Sequence, residues 1–402
     1  MEKNKDNMRE EISFKPIRKR NYVVYFYGYF AGAIIGSVIH VYLPIYFYNL
    51  LNVSRVELAF VQIFSYSVLF LKLLMSIYFD RSMSKAWPLM ILSSIGIFIC
   101  FILILSTVQI LILFGIFLGI NFAFVSILDV AIDKFIVVQS PTKKLKEKNA
   151  LCTNLGALSG SIFPSAMSLL MLSDVYSFEL WNQFFLVGII TVAPLILIVF
   201  LLKVEGDIIP KKVTSVQGKS VPLKSVTFMC LFVFLAYADR LYEFPLEPWA
   251  ITKLGSENMW LFSLFMVIFV AINATGLVIA GTISHKFNRK LLLIVATVID
   301  GVLIIIAPFT NIIVFFILMA IVNFFAGFFI INMISMMIEL SKSSVLIFQI
   351  ISAFTIVSSV VFIPLGTFLS SFVPTEIIIA IAGALITLAI VPLIFIKDEN
   401  KD

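Results

Sequence analysis

Long apolar segments separated by short polar turns follow one another along the whole chain. Each residue of an α-helix adds about 1.5 Å, so about 20 apolar residues cross the hydrocarbon layer of a membrane. The segments of this kind lie at residues 22–49, 58–79, 88–106, 109–138, 150–172, 181–202, 225–249, 258–283, 290–308, 311–339, 344–371 and 374–396. The pattern therefore predicts an all-α integral membrane protein with twelve transmembrane helices.

The longest polar interruption divides these predicted helices into two groups of six. It covers residues 203–224 and contains two prolines and a glycine. We therefore expect an N-terminal six-helix bundle at 22–202, a central loop at 203–224 and a C-terminal six-helix bundle at 225–396. Polar tails are expected before and after the two bundles, at residues 1–21 and 397–402.

The amino-acid composition agrees with burial in a bilayer. Hydrophobic residues make up 61% of the chain and charged residues only 13%, against about 25% charged residues in an ordinary soluble domain. This excludes a water-soluble globular fold. The three cysteines and two histidines lack the spacing of metal or redox sites. The sequence predicts no metal site and no cofactor.

Lysine and arginine residues collect on alternate turns. With a cytoplasmic N-terminus, 24 of the 29 Lys and Arg residues fall in cytoplasmic tails and loops, and only Arg55 and Lys253 fall outside. This bias predicts a multi-pass protein of the inner or plasma membrane with both termini in the cytoplasm. The net charge of +6 reflects the same bias and does not indicate nucleic-acid binding.

Two polar turns at equivalent places suggest an internal repeat. The turn at residues 76–85 follows the second predicted helix, and a similar turn follows the eighth, 205 residues later. Both have a G-x-x-x-D-R-x-x-R-K-like form, with Asp80, Arg81 and Lys85 in the first and His285 replacing the acid in the second. With twelve spans and a basic central loop, the chain resembles the major facilitator superfamily. The resemblance implies two pseudo-symmetric six-helix bundles that rock around a central site.

Ionisable residues at membrane depth are costly, so they indicate function. The seventh predicted helix carries Asp239, Arg240 and Glu243. Arg240 can neutralise only one of the two acids, which makes the other a candidate proton carrier. We interpret these three residues as a proton-coupling or substrate-binding site, to which Asp129 of the fourth helix is added.

Two prolines follow this charged group. Pro245 and Pro248 remove two backbone donors and are predicted to kink or open the outer end of the helix. In the alternative interpretation, Asp239 and Arg240 only neutralise each other, while Glu243 and the nearby Glu247 reach water.

A second charged group lies at the end of the fourth predicted helix. Asp129 and Asp133 are four residues apart and share a face. Lys72 of the second helix lies at a similar depth and is the expected partner of Asp129, while Arg81 and Lys85 are expected near Asp133.

Five residues of this region are predicted to form a cytoplasmic gate. They are Asp80, Arg81, Lys85, Asp133 and Lys72. A gate lock without substrate contact and a direct role in transport both remain open, and Lys72 has the further alternative of extending to the headgroups.

The segment from Leu128 to Asp133 resembles the Q-D-x-x-x-D signature in the fourth span of AmpG-type muropeptide permeases and related acetyl-CoA transporters. In this chain Leu128 stands where glutamine is usual. The resemblance implies proton-linked uptake of a sizeable anionic or sugar-bearing metabolite.

Small residues and prolines mark predicted contacts between helices. Stripes of glycine at four-residue spacing let helices approach closely, and packing is favoured over cavity lining. The hinge and packing candidates, besides the two prolines of the seventh helix, are Gly28, Gly32, Gly36, Gly156, Gly160 and Pro164. Asp300 in the ninth predicted helix is a further acid at membrane depth, and the sequence indicates no partner for it.

These observations predict a secondary active transporter that moves a small solute by alternating access, coupled to protons. Its predicted partners are a small-molecule substrate, protons and the lipid bilayer, and the protein is expected to be a monomer. An uncoupled facilitator or an exporter of drugs or metabolites is the alternative on the same fold. A membrane-embedded enzyme acting on lipids is disfavoured, because no motif of such enzymes is present.

Overall fold

The computed structural model describes residues 19–37, 47, 51–81, 86–107, 109–138, 143–170, 178–201, 223–255, 258–341 and 345–396. These residues are almost entirely helical. The α-helices are α1 (Lys19–Ser37), α2 (Arg55–Ser67), α3 (Leu71–Arg81), α4 (Ala86–Thr107), α5 (Leu111–Val138), α6 (Lys143–Leu170), α7 (Phe178–Leu201), α8 (Leu223–Ala236), α9 (Glu243–Leu254), α10 (Met259–Ile283), α11 (Arg289–Ile306), α12 (Ile312–Ser341), α13 (Val345–Leu369), α14 (Thr375–Leu388) and α15 (Ile390–Ile394).

Nine helical segments within the described ranges are long and apolar enough to cross a membrane. Each corresponds to one of the twelve predicted spans. The other three predicted spans are the first, fifth and sixth. Helices α1, α6 and α7 cover much of them, but parts of these spans lie outside the described residues. The all-α membrane architecture is therefore confirmed, while the number twelve stays a prediction.

Contacts between helix ends define two faces of the molecule. We call the face at which α1 begins the tail face and the opposite one the far face. Lys290 near the start of α11 donates to the carbonyl oxygens of Ile394 and Ile396, each at 2.7 Å, so the last described helices end where α11 begins. A lysine at this place also complements the negative end of the helix dipole. At the far face, Lys253 in the last turn of α9 pairs with Glu376 of α14 at 3.1 Å.

Local sequence signals explain where several helices start and stop. Ser54 and Glu57 form a reciprocal capping box at the start of α2, with 3.2 Å between donor and acceptor in each direction. Asn288 caps α11 by accepting from the N–H of Leu291 at 3.1 Å. Gly255 ends α9 with a φ of 83°, a left-handed conformation that favours glycine.

Two of the membrane-crossing segments are interrupted by a single 3-10 turn. One turn, Val68–Phe70, joins α2 to α3, and the other, Ala238–Leu241, lies between α8 and α9. The second break lies one turn before Pro245. A proline ring clashes with the carbonyl four residues earlier and leaves that carbonyl without its helical donor. The displaced group is the carbonyl of Leu241, which abuts Gly366 of α13 where any side chain would overlap it.

The two halves, defined here as the helices before and after the central loop, touch at both faces. At the tail face, a Cβ placed on Gly281 of α10 would lie 3.9 Å from the Leu151 side chain of α6. At the far face, the Arg55 guanidinium of α2 donates to the carbonyl oxygen of Ser370. Between the faces, Phe244 and Ile363 of the C-terminal half pack into the apolar core of the N-terminal half.

Glycines of α6 bring it directly against the backbone of α1. A Cβ on Gly156 would overlap the carbonyl of Phe26, and a Cβ on Gly160 would overlap that of Phe30. The two pairs follow each other at four-residue steps, so α1 and α6 run parallel with matching helical turns. Of the other packing candidates, Gly28 faces Ile132 at 2.5 Å, measured from a Cβ placed on the glycine.

The remaining packing candidates give less information. Nothing lies within 4 Å of the position that a Cβ on Gly32 would occupy. Gly36 and Pro164 lie in the helical backbone of α1 and α6, and the surroundings of their side-chain positions lie outside the described residues.

The contrast between Gly156 and Gly32 gives a stability test. Gly156→Ala is expected to lower stability by about 1–3 kcal/mol, because the methyl group forces α1 and α6 apart. Gly32→Ala is the matched control, since alanine there meets open space and improves helix propensity by up to about 1 kcal/mol. Thermal unfolding of the purified protein in detergent measures both. Equal stability of the two variants would contradict the close contact.

Candidate functional site

A charged cluster joins helices of both halves on the tail-face side. The ammonium nitrogen of Lys72 lies 3.6 Å from Oδ2 of Asp129 and 3.6 Å from Oδ2 of Asp133. The hydroxyl of Tyr29 donates to Oδ1 of Asp133 at 2.7 Å. The side-chain amide of Gln349 donates to Oδ2 of Asp133 at 2.8 Å. We call these five residues the Lys72 cluster.

The positions of these side chains follow from helix geometry. Asp129 and Asp133 are one turn apart on α5, so both carboxylates point to the same neighbour. At about 1.5 Å per residue, Gln349 lies about 6 Å along α13, and Tyr29 lies about 15 Å along α1. Because α1 and α13 belong to different halves, Asp133 is bonded to both halves at once.

The two acids of the cluster differ in access to solvent. The side chain of Asp133 is 7% exposed and that of Asp129 is 28% exposed, against 10% for Lys72. Asp133 has a hydrogen bond to each oxygen, as a buried charge requires. Asp129 is therefore the more exposed acid of this cluster.

The structure describes only part of the predicted cytoplasmic gate. Lys72 lies beside Asp129, and it approaches Asp133 equally closely. The side chains of Asp80 and Arg81, and all of Lys85, lie outside the described residues.

Sequence reasoning missed the role of Gln349. The available signal was a glutamine in an otherwise apolar segment, where a polar side chain needs a bonding partner. The sequence does not show which helix supplies that partner.

A second charged group lies at the break between α8 and α9. Nη1 of Arg240 donates to both carboxylate oxygens of Glu243, at 2.9 Å and 2.8 Å. Oδ1 of Asp239 accepts from the backbone N–H of Arg240 at 3.0 Å. The side chains of Arg240 and Glu243 are 32% and 20% exposed. The structure thus brings all three predicted residues together, and the guanidinium of Arg240 donates to the carboxylate of Glu243 while its backbone N–H donates to that of Asp239.

Aromatic residues and one further acid surround this group. The guanidinium carbon of Arg240 lies 5.9 Å from the ring centre of Tyr237, within the range of a cation–π contact. Tyr66 of α2 lies in electrostatic range of both Arg240 and Glu243, so the N-terminal half faces this pair. Asp300 of α11 lies within electrostatic range of Asp239.

Glu247 lies one turn after Glu243 and is 2% exposed. Neither of its carboxylate oxygens has a hydrogen-bond partner in the described part of the chain. This disagrees with the alternative interpretation, in which Glu247 reaches water. Pro245 beside it is buried, and Pro248 lies inside α9.

A further ion pair joins two helix ends. Arg289 at the start of α11 pairs with Glu339 near the end of α12.

Among the residues that the structure describes, His, Cys, Asp and Glu side chains form no group of three that would hold a metal ion.

Comparison with solved structures identifies the architecture. Two crystal structures of the fucose:proton symporter FucP superpose on this chain, one described as a transporter of the major facilitator superfamily in the outward conformation and the other as a variant of the E. coli protein. Each has a TM-score of 0.63 and 14% sequence identity, and the match covers 94% of this chain and 98% of FucP. The chain has the major facilitator fold.

At this identity the likeness establishes the fold alone. No family model matches the sequence, and no curated protein matches it either. The helices carrying the Lys72 cluster and the Arg240–Glu243 pair therefore belong to a multi-pass membrane protein with the major facilitator fold.

The Lys72 cluster yields a second test. Lys72→Met is expected to lower stability by about 3–5 kcal/mol, because it leaves the buried carboxylate of Asp133 and the partly exposed one of Asp129 without their cation. Adding Asp129→Asn and Asp133→Asn to Lys72→Met should recover most of that loss, since no unpaired charge then remains. Thermal unfolding in detergent measures the recovery. If the triple variant is less stable than Lys72→Met alone, Lys72 does not act by neutralising these acids.

Proposed function

We propose that this protein is a secondary active transporter that moves a small solute across the membrane by alternating access, coupled to protons. The observation that carries the proposal is the major facilitator fold with charged groups at membrane depth where its two halves meet. Charged residues at such depth mark ion and solute pathways in membrane proteins. Rocking of two repeats around a central site is the motion for which such a fold is suited.

The contacts between the halves supply the two gates of this mechanism. The tail-face gate contains the bond between Asp133 and Gln349, together with the contact between Leu151 and Gly281. The far-face gate contains the contact between Arg55 and Ser370. A solute enters or leaves only through a face that is open, so each set of contacts breaks in one of the two states.

The side chains open to a solute indicate its chemistry. Arg240 and Asp129 are both about a third exposed, and Arg240 is suited to bind a carboxylate or phosphate through its planar fork of donors. This supports the cargo class implied by the resemblance to AmpG-type permeases, a sizeable anionic or sugar-bearing metabolite. FucP is described as a fucose:proton symporter. A sugar and a proton as cargo are properties of that protein, and they agree with the cargo class proposed for this one.

Two other functions on the same fold make different predictions. An uncoupled facilitator would move its solute without a proton gradient, and an exporter would move its solute outward. A membrane-embedded enzyme would change the solute chemically, and the structural neighbours give no support to this alternative because they are transporters.

Cross-linking at the tail face tests alternating access. The variant carries Leu151→Cys and Gly281→Cys in a background where the native cysteines Cys100, Cys152 and Cys230 are replaced by serine. A short bifunctional thiol reagent should join the two halves and abolish solute counterflow in proteoliposomes, because the tail face then stays closed. The control is a pair within one half on the same face, Phe228→Cys with Phe395→Cys, whose rings lie 5.2 Å apart. Equal transport by both cross-linked proteins would rule out this gate.

A proton gradient tests the coupling. Solutes found by thermal-shift screening of sugars, sugar phosphates and organic acids are loaded for counterflow and for gradient-driven uptake. Uptake into proteoliposomes should rise with an inward proton gradient, and Asp239→Asn should lose this rise while it keeps solute counterflow. Glu376→Gln, which alters an acid paired with Lys253 at the far face, should respond to the gradient as the unmodified protein does. Gradient-independent uptake by the unmodified protein would favour the facilitator.

A further inference from the structure

Two buried side chains, one in each half, have polar end groups without hydrogen bonds. Gln62 of α2 is 3% exposed and Glu247 of α9 is 2% exposed. Among the amide and acid side chains of the described residues, only these two have both polar end atoms buried and without a partner. A polar group enclosed in dry protein is unfavourable unless it is hydrogen-bonded. The two groups therefore point to a state of the protein in which both are satisfied.

Gln62 and Glu247 lie at the same depth below the far face. Gln62 comes seven residues after Arg55, where α2 begins, and Glu247 comes seven residues before Leu254, where α9 ends. At about 1.5 Å per residue, each lies about 10 Å from the far-face end of its helix. Helix α2 runs away from the far face and α9 runs toward it, so the two helices cross this depth in opposite directions.

The helical face of α2 that carries Gln62 borders the contact between the halves. Leu58, Gln62 and Tyr66 are spaced by four residues and share that face. Leu58 and Tyr66 belong to the apolar core of the N-terminal half, and Ile363 of α13 belongs to the same core. Ile363 comes seven residues before Ser370 at the far face, which places it at the depth of Gln62. The core around Gln62 is thus built from both halves.

Glu247 lies on the face of α9 that is turned to the N-terminal half. Phe244, Glu247 and Ile251 follow one another at steps of three and four residues and share one face. Phe244 and Ile251 belong to the core that contains Leu58 and Tyr66, although α9 is part of the C-terminal half. Leu246 beside Glu247 packs instead against the core of its own half. Glu247 therefore faces the same layer as Gln62.

We propose that Gln62 and Glu247 hydrogen-bond to each other when the far face closes fully, and so form an inner gate beneath the contact of Arg55 with Ser370. The proposal rests on the transporter function above and adds two residues to its far-face gate. The side-chain amide of Gln62 supplies donors, and the carboxyl oxygens of Glu247 accept.

A polar pair suits a gate that has to reopen. Polar side chains join membrane helices through hydrogen bonds of this kind. When the far face opens, water reaches both groups and replaces the bond between them. Each end state then satisfies Gln62 and Glu247, by water when the face is open and by each other when it is closed. A purely apolar contact would gain nothing from water and would favour the closed state alone.

Disulfide formation tests whether the two side chains meet. Gln62→Cys and Glu247→Cys are combined in the background in which the native cysteines are replaced by serine, and the protein in lipid nanodiscs is oxidised. Mass spectrometry measures the yield of the joined peptides. The control is Gln62→Cys with Leu246→Cys, at nearly the same depth but on another face of α9. The yield for the first pair should be several-fold higher, and equal yields for the two pairs would overturn the proposal.

Labelling of a reporter cysteine tests the hydrogen bond. Ile251→Cys, in the same serine background, places a thiol on the buried face of α9, where a maleimide reacts only after the far face opens. Gln62→Leu and Glu247→Leu should each raise the labelling rate several-fold, because closing then leaves one polar group unbonded in dry protein. The double variant should return to the rate of the reporter protein, and Glu247→Gln should keep it, since an amide also bonds to Gln62. Additive effects of the two leucine substitutions would show that the groups do not interact.

Both measurements are made without a solute, which separates this proposal from the transporter function. Size-exclusion chromatography and thermal unfolding show whether each variant is folded, and the disulfide test stands even where a leucine variant does not fold. Solute counterflow by the unmodified protein without the disulfide would leave the transporter standing and remove this pair. A specific disulfide with recovery of the labelling rate in the double variant upholds the pair even where proteoliposomes show no transport.

Discussion

A lysine held at membrane depth between two carboxylates is the interaction on which the arrangement of the helices depends. An uncompensated charge in the bilayer interior costs at least about 2.5–3.5 kcal/mol, so Lys72 has to lie where both acids of α5 can reach it. The acids need compensation as well. Asp133 is nearly inaccessible to solvent, and its carboxylate accepts hydrogen bonds from Tyr29 and Gln349. Satisfying one buried ion pair thus fixes α3 against α5 and connects the two halves.

The two charged groups of the protein are satisfied to different degrees. In the N-terminal half, each oxygen of Asp133 is bonded, and Lys72 compensates one of two negative charges. In the C-terminal half, Asp300 has an oxygen without a partner and Arg240 is engaged by Glu243. A cluster whose buried acid is fully hydrogen-bonded suits a contact that is broken and remade as a unit, whereas a group with an unbonded buried carboxyl oxygen suits the binding of a proton. This difference is why we place the gate in one cluster and the coupling ion in the other.

Much of the architecture could be predicted from the sequence because hydropathy reports burial in lipid directly. The position of each residue along its helix was enough to predict that Lys72 lies close to Asp129. The four-residue spacing was enough to predict that the two acids of α5 share a face. The sequence could not reveal the bond from Gln349 to Asp133 or the contact between Arg55 and Ser370. These contacts join segments far apart in the chain, and they depend on the rotation of each helix about its own axis, which nearly uniform apolar surfaces leave undetermined.

Backbone contact at glycine recurs in both halves and shows where they differ. In the N-terminal half, glycines of α6 lie on carbonyl groups of α1, and in the C-terminal half Gly366 of α13 lies on the carbonyl of Leu241. In the predicted order of the twelve spans these are equivalent pairs, the first with the fifth and the seventh with the eleventh. Helix α1 is continuous through its contact, but the seventh span is broken there because Pro245 displaces that carbonyl. The same packing therefore supports a rigid helix in one half, while in the other it holds open the turn that carries Asp239 and Arg240. The carbonyl of Leu241 already lacks its helical hydrogen bond. A change of charge at Asp239 or Arg240 therefore acts on a backbone segment that can move without breaking such a bond.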